Sequence, residues 1–155
     1  MTKYLLFTLG SLSYLLYHYY MNDIGRLIEI PKYVYLDLFG ILLLSASAGF
    51  YLIKKNKIGS TLSLFGIGLI FKDIVIHLFL ADFYWINTDK KIQLLLFIII
   101  PFIGLLTMLF FAINSNLNPQ SEKFEFLPIK TNQKVKKMFA YAPVIATLLL
   151  TLILY

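Results

Sequence analysis

The segment Ser60–Ala81, STLSLFGIGLIFKDIVIHLFLA, is apolar along nearly all of its length. An α-helix needs roughly 17–25 predominantly apolar residues to cross the hydrocarbon core of a bilayer, so this segment predicts a transmembrane helix. Lys72, Asp73 and His77 lie inside it. An ionisable side chain in hydrocarbon costs free energy unless it finds a partner, so these three residues also mark a candidate functional position.

The composition of the whole chain is that of a membrane protein. Of its 155 residues, 59% are hydrophobic and 14% are charged, whereas a soluble domain averages roughly 45–50% apolar and 25% charged residues. Cysteine is absent, which excludes disulfides and thiolate chemistry. The formal net charge of +6 does not indicate a nucleic-acid partner, because the lysines cluster at the ends of apolar runs, where they set membrane topology.

Five apolar runs predict an all-α integral membrane protein, a single domain of residues 1–155 built as a bundle of five transmembrane helices. The runs cover about 4–20, 34–53, 60–81, 92–113 and 138–155. With the N-terminus inside, nine of the 14 basic residues fall in inside segments and four in outside segments, while Lys72 lies within a span. Positive charge accumulates on the inside of membrane proteins, so we predict the N-terminus inside and the C-terminus outside.

The longest connection, residues 114–137, is predicted to be a basic loop on the cytoplasmic side. It ends in Lys134, Lys136 and Lys137, and such a cluster attracts anionic lipid headgroups. We therefore expect membrane lipids as partners. The membrane is either a bacterial cytoplasmic membrane or an organelle inner membrane, in which case the matrix takes the place of the cytoplasm.

Helical geometry predicts how the ionisable residues of the third span are oriented. Asp73 and His77 are one turn apart on the same face. Gly59 and Gly66 precede Asp73 at seven-residue steps, and small residues let a second helix approach closely. We therefore predict helix packing along this face, and also at Gly68. Lys72 points about 100° away with Gly68 one turn below it, so it either pairs with an acid on another helix or extends toward the interface.

The predicted topology also brings residues of three spans to similar depths. His18, Asp37 and His77 each lie within two turns of the outer end of their span, and Asp73 lies one turn deeper than His77. If the first three helices pack together, their polar side chains converge.

Our leading hypothesis is a structural role for this polar cluster. Lys72 and Asp73 are then neutralised by neighbouring groups, partly on other subunits, and fix the helix register. Because the sequence has no catalytic motif and no soluble domain, this hypothesis makes the protein a non-catalytic, accessory subunit of a larger membrane complex. The main alternative is proton or ion translocation through Asp37, Lys72, Asp73 and His77, since buried acids and histidines suit relays.

Two cofactor hypotheses use the only two histidines of the chain. A b-type haem needs the imidazoles of His18 and His77 to face one cavity, which would make the protein an electron-transfer subunit. A metal held by His18, Asp37, Asp73 and His77 has adequate ligand types. The spacing matches no local metal-binding motif, however, so we predict no metal site and no resident cofactor.

Pro101 lies in the middle of the fourth span. A proline inside a helix leaves the carbonyl four residues earlier without its usual donor and kinks the helix. We interpret this position as a kink that improves packing, with a functional hinge as the alternative.

Overall fold

The chain folds into α-helices throughout the region that the computed structural model describes, which is residues 2–27, 34–83, 88–118 and 133–155. Side chains are described within 2–21, 34–76, 98–118 and 138–155 and at Val135. The five helices of this region are α1 (Thr2–Leu27), α2 (Val34–Leu52), α3 (Asn56–Phe83), α4 (Thr88–Leu117) and α5 (Gln133–Leu154). The all-α fold predicted from the sequence is confirmed.

Three of these helices are long and apolar enough to cross a membrane. The qualifying stretches are Val34–Leu52, Asn56–Ile76 and Ile98–Leu117, and α5 contains a shorter apolar stretch, Met138–Leu154. These stretches indicate that the protein is associated with a membrane. Most helices extend beyond the apolar runs of the sequence, because helical backbone continues into polar flanks that a hydropathy pattern does not mark.

The predicted loop 114–137 is partly helical. α4 continues to Leu117 and α5 begins at Gln133, while residues 119–132 lie outside the described part of the chain. The lysines at 134, 136 and 137 therefore belong to the first turns of α5.

Helices α1 to α4 form a ring. α1 packs against α2 and α4, and α3 also packs against α2 and α4, so α1 lies opposite α3. α5 lies outside this ring, against α2 and α1. α1 and α2 are antiparallel, since Phe7 near the start of α1 contacts Tyr51 near the end of α2. Phe71 of α3 contacts Phe102 of α4.

A tight turn between α2 and α3 sets their antiparallel pairing. The Lys54 N–H donates to the Tyr51 carbonyl and the Lys55 N–H to the Phe50 carbonyl, which is the hydrogen-bond pattern of a Schellman motif. Lys54 has a φ of 62°, a left-handed conformation that costs roughly 1–2 kcal/mol in a residue other than glycine. The turn sends α3 back along α2.

Glycines set the distance between α2 and α3. A Cβ added to Gly66 would lie 2.7 Å from the Gly40 carbonyl oxygen, and one added to Gly59 would lie 3.2 Å from the Ser47 carbonyl oxygen. Gly59 and Gly66 thus lie on the α3 face that packs against α2. Gly68, for which the sequence also predicted helix packing, does not: an added Cβ would meet no described atom within 4 Å. Its face opens onto an external groove.

The fourth helix continues through Pro101, from Thr88 to Leu117. The proline therefore does not end the helix. Gly104, one turn further on, has no described atom within 4 Å of an added Cβ. The hypotheses of a packing kink and of a hinge both stay predictions.

Candidate functional site

Four ionisable side chains from three helices meet inside the ring. His18 comes from α1, Asp37 from α2, and Lys72 and Asp73 from α3. His18, Asp37 and Asp73 are buried, with relative exposures of 4%, 2% and 9%. The Lys72 side chain is 34% exposed. We call these four residues the charged cluster.

Lys72 bridges the two carboxylates of the charged cluster. Its Nζ donates to Asp37 Oδ1 at 2.6 Å and to Asp73 Oδ1 at 3.0 Å. Lys72 therefore takes the first of the two arrangements predicted for it, a pair with an acid on another helix. One oxygen of each carboxylate is occupied by the ammonium group, and the other oxygen of each faces His18.

The imidazole of His18 has a partner at each ring nitrogen. Its Nε2 lies 3.3 Å from Asp37 Oδ2 and 3.9 Å from Asp73 Oδ2. Its Nδ1 lies 2.6 Å from the hydroxyl of Tyr155. Tyr155, which is 45% exposed, was not identified from the sequence. It lies 137 positions from His18, and no local pattern relates a tyrosine at the end of α5 to a histidine in α1.

Among the described residues, the carboxylates of the charged cluster outnumber its ammonium groups. Two carboxylates face one ammonium group, so the formal charge of the cluster is −1 when histidine is counted as neutral. Asp73 Oδ2 is buried and has no hydrogen-bond partner among the described residues. A buried carboxylate oxygen that lacks a partner is costly, so the cluster favours the arrival of one more positively charged group.

The charged cluster is closed on one side by an apolar layer. Leu15, Ile41, Leu44 and Ile70, which lie one to two turns deeper on α1, α2 and α3, are completely buried. At the same level, the hydroxyl of Tyr14 donates to the Ile70 carbonyl at 3.1 Å and so ties α1 to α3. On the other side, Lys72 and Tyr155 are partly exposed. Among the described residues, the cluster and its tyrosine partner are therefore exposed at Lys72 and Tyr155 and covered at the apolar layer.

The predicted haem ligands are not brought together by any described contact. His77 belongs to α3, but its side chain lies outside the described residues. His18 uses both ring nitrogens for Asp37 and Tyr155. A haem iron would have to displace one of these two partners.

No protein-family model matches the chain, and no curated protein or solved structure matches it.

Proposed function

We propose that the chain is an integral membrane protein of five transmembrane helices, with its N-terminus inside and its C-terminus outside, that binds a cation at the charged cluster and translocates it. Three helices have the length and hydropathy of membrane spans. α1 and α5 complete the bundle, because both pack along α2 and run antiparallel to it. The positive-inside distribution of lysines supports the orientation.

The observation that carries this proposal is the charge balance of the charged cluster. Among the described residues, Asp37 and Asp73 share one ammonium group, and Asp73 Oδ2 has no hydrogen-bond partner. Ionisable residues inside transmembrane helices commonly mark ion pathways. A cation entering between the carboxylates would offset their excess negative charge.

The one-sided closure of the charged cluster supports transport rather than passive conduction. An open pore would join the two membrane faces, whereas the apolar layer of Leu15, Ile41, Leu44 and Ile70 separates the cluster from one of them. Alternating access requires a binding site that is open to one side of the membrane at a time. Pro101 in α4 is a position at which such a helix can bend.

A liposome flux assay on the Asp73→Asn variant tests the proposal. Purified protein is reconstituted into vesicles that contain a pH-sensitive or a metal-sensitive dye, and an external pulse of acid or Zn²⁺ starts the reaction. We expect the flux into vesicles with the wild-type protein to exceed the flux into empty vesicles. Asp73→Asn should reduce the flux by about tenfold or more, because hydrogen bonds to charged groups contribute about 1.5–3 kcal/mol.

The matched control in this assay is Thr107→Val. Thr107 is exposed, and its hydroxyl donates to the Ile103 carbonyl of its own helix. This variant should keep the wild-type flux. A wild type no faster than empty vesicles refutes the proposal, and so does an Asp73→Asn variant that retains full flux. Gel filtration and helical circular dichroism show that each variant is folded.

The accessory-subunit hypothesis is the second candidate. Lys72 does not need a partner subunit for neutralisation, because carboxylates of the same chain supply it. A different observation favours it. Beside Gly68 lies an apolar groove of about 660 Å³ between α2 and α3, and a glycine in such a groove permits close approach of another transmembrane helix. The groove is lined by Phe39, Leu43, Leu62, Leu64, Phe65, Gly68 and Leu69.

Replacing Gly68 with Leu is expected to release a partner subunit if one occupies this groove. Gly104→Leu is the matched control, because Gly104 also has no described atom within 4 Å of an added Cβ but lies on α4. Purification from native membranes in mild detergent, followed by native mass spectrometry, measures retention. A wild-type chain that purifies without any partner excludes the subunit hypothesis.

A further inference from the structure

Three atoms of the charged cluster are spaced as metal ligands are. His18 Nε2 lies 3.3 Å from Asp37 Oδ2 and 3.9 Å from Asp73 Oδ2, and the three ligand groups lie within 4.8 Å of one another. A tetrahedral metal with bonds of about 2.0–2.2 Å holds neighbouring ligand atoms about 3.3 Å apart. Small side-chain rotations therefore suffice to place a metal ion between these atoms.

We infer that His18, Asp37 and Asp73 form a three-ligand site for a divalent transition metal, with Zn²⁺ as the representative ion. The inference rests on the proposed function, because it names the class of cation that the charged cluster takes. One imidazole nitrogen and two carboxylate oxygens suit zinc and its first-row neighbours. Calcium and magnesium prefer oxygen ligands alone.

Lys72 organises this site from outside. By occupying Oδ1 of both aspartates, its ammonium group turns Oδ2 of both toward His18. Asp73 Oδ2 is the independent sign of a missing ligand: it is buried, faces the site and has no hydrogen-bond partner in the described part of the chain. A metal ion supplies that partner. Each carboxylate thus bonds the Lys72 ammonium group through one oxygen and an exchangeable cation through the other.

Tyr155 can hydrogen-bond to His18 in both the metal-free and the metal-bound site. Without a metal, the Tyr155 hydroxyl donates to Nδ1 and the Nε2–H donates to Asp37, which satisfies the 2.6 Å and 3.3 Å contacts. With a metal, the hydroxyl accepts from Nδ1–H and Nε2 presents its lone pair. Metal-binding histidines usually have such a partner on the other nitrogen, and its loss typically weakens metal affinity by about 10–100-fold. Tyr155 is therefore a positioning residue.

A tetrahedral ion held by these three residues would leave its fourth position to water. Its two positive charges would change the formal charge of the charged cluster from −1 to +1. The sequence predicted no metal site because metal-binding motifs place their ligands at short spacing on one segment. Here each ligand comes from a different helix, and His77 is not required.

Equilibrium dialysis of the full chain in detergent tests the inference directly. The protein is stripped with a chelator and dialysed against Zn²⁺, and bound metal is counted by elemental mass spectrometry. We expect about one Zn²⁺ per chain for the wild type and for Thr107→Val. Asp73→Asn and His18→Gln should each weaken binding by about tenfold or more, and Tyr155→Phe should weaken it by about 10–100-fold while one ion still binds at saturation.

Two results overturn the metal site. One is a wild type that binds no Zn²⁺, Mn²⁺ or Co²⁺ at micromolar free metal. The other is Zn²⁺ binding that Asp73→Asn and His18→Gln, both shown by circular dichroism to be folded, leave unchanged. Failure of the metal site can be distinguished from failure of the proposed function. Proton flux that persists in chelator, without metal binding, refutes only the metal site. One bound ion per chain without any flux refutes only translocation.

Discussion

Replacing Lys72 with Met is expected to destabilise the folded protein by about 3 kcal/mol. Removing one member of a buried ion pair typically costs about 3–5 kcal/mol, and the lower end applies here because a third of the Lys72 side chain is exposed. The change leaves Asp37 and Asp73 facing each other without their shared ammonium group. Unfolding in mixed micelles with increasing denaturing detergent measures the free energy of unfolding.

A second substitution separates loss of charge balance from loss of packing. Lys72→Met combined with Asp73→Asn restores the net charge of −1 that the charged cluster has in the wild type. We expect the double variant to recover at least about half of the lost stability, because residues in direct contact show coupling energies of about 0.5–3 kcal/mol. The interpretation fails if the double variant is less stable than Lys72→Met alone.

The matched control for this cycle is Lys55→Met. Lys55 is exposed in the turn between α2 and α3, so the same chemical change there should shift the free energy of unfolding by no more than about 0.5 kcal/mol. If Lys55→Met and Lys72→Met have equal effects, the charged cluster does not stabilise the fold.

Replacing Gly66 with Val is expected to destabilise the protein by about 1–3 kcal/mol, the usual range for overpacking a close contact. The new Cβ would lie 2.7 Å from the Gly40 carbonyl oxygen, and backbone cannot move aside as a flexible side chain can. α2 and α3 must separate, which also lengthens the Lys72–Asp37 contact of 2.6 Å. Zn²⁺ affinity should therefore fall together with stability, and both are measured on the same preparation.

Gly68→Val is a control with the same residue types, two positions away on the same helix. An added Cβ there meets no described atom within 4 Å, while the change in helix propensity is shared with Gly66→Val. The difference between the two variants therefore isolates the contact between α2 and α3. Equal losses of stability would show that this contact is not what holds the two helices together.

Helix–helix packing in this protein was predictable only where the sequence carried a repeat along one face. Gly59 and Gly66 precede Asp73 at steps of seven, and Gly59 and Gly66 do lie against α2. Gly68 is also a glycine but lies outside this seven-residue repeat, and it faces a groove instead of α2. A single glycine indicates that close approach is possible, whereas the neighbouring helices decide whether it happens.

The contacts of the charged cluster were predictable only in part. The sequence predicted that His18 and Asp37 lie at similar depths in the bundle. His18 Nε2 and Asp37 Oδ2 lie 3.3 Å apart. The bridging of two carboxylates by Lys72 and the contact between His18 and Tyr155 were not predicted. Both depend on how far each helix is rotated about its axis, which hydropathy does not report.

The sequence by itself determined that the chain is helical and suited to a membrane. A backbone in hydrocarbon must satisfy its hydrogen bonds within each segment, so a run of about twenty apolar residues predicts a helix. The tertiary structure alone decided which ionisable groups meet and which oxygen of each carboxylate faces His18. Those distances are set by the packing of α2 against α3 at Gly40 and Gly66 and by the position of α5. Such contacts join residues far apart in the chain, and no periodicity within one segment encodes them.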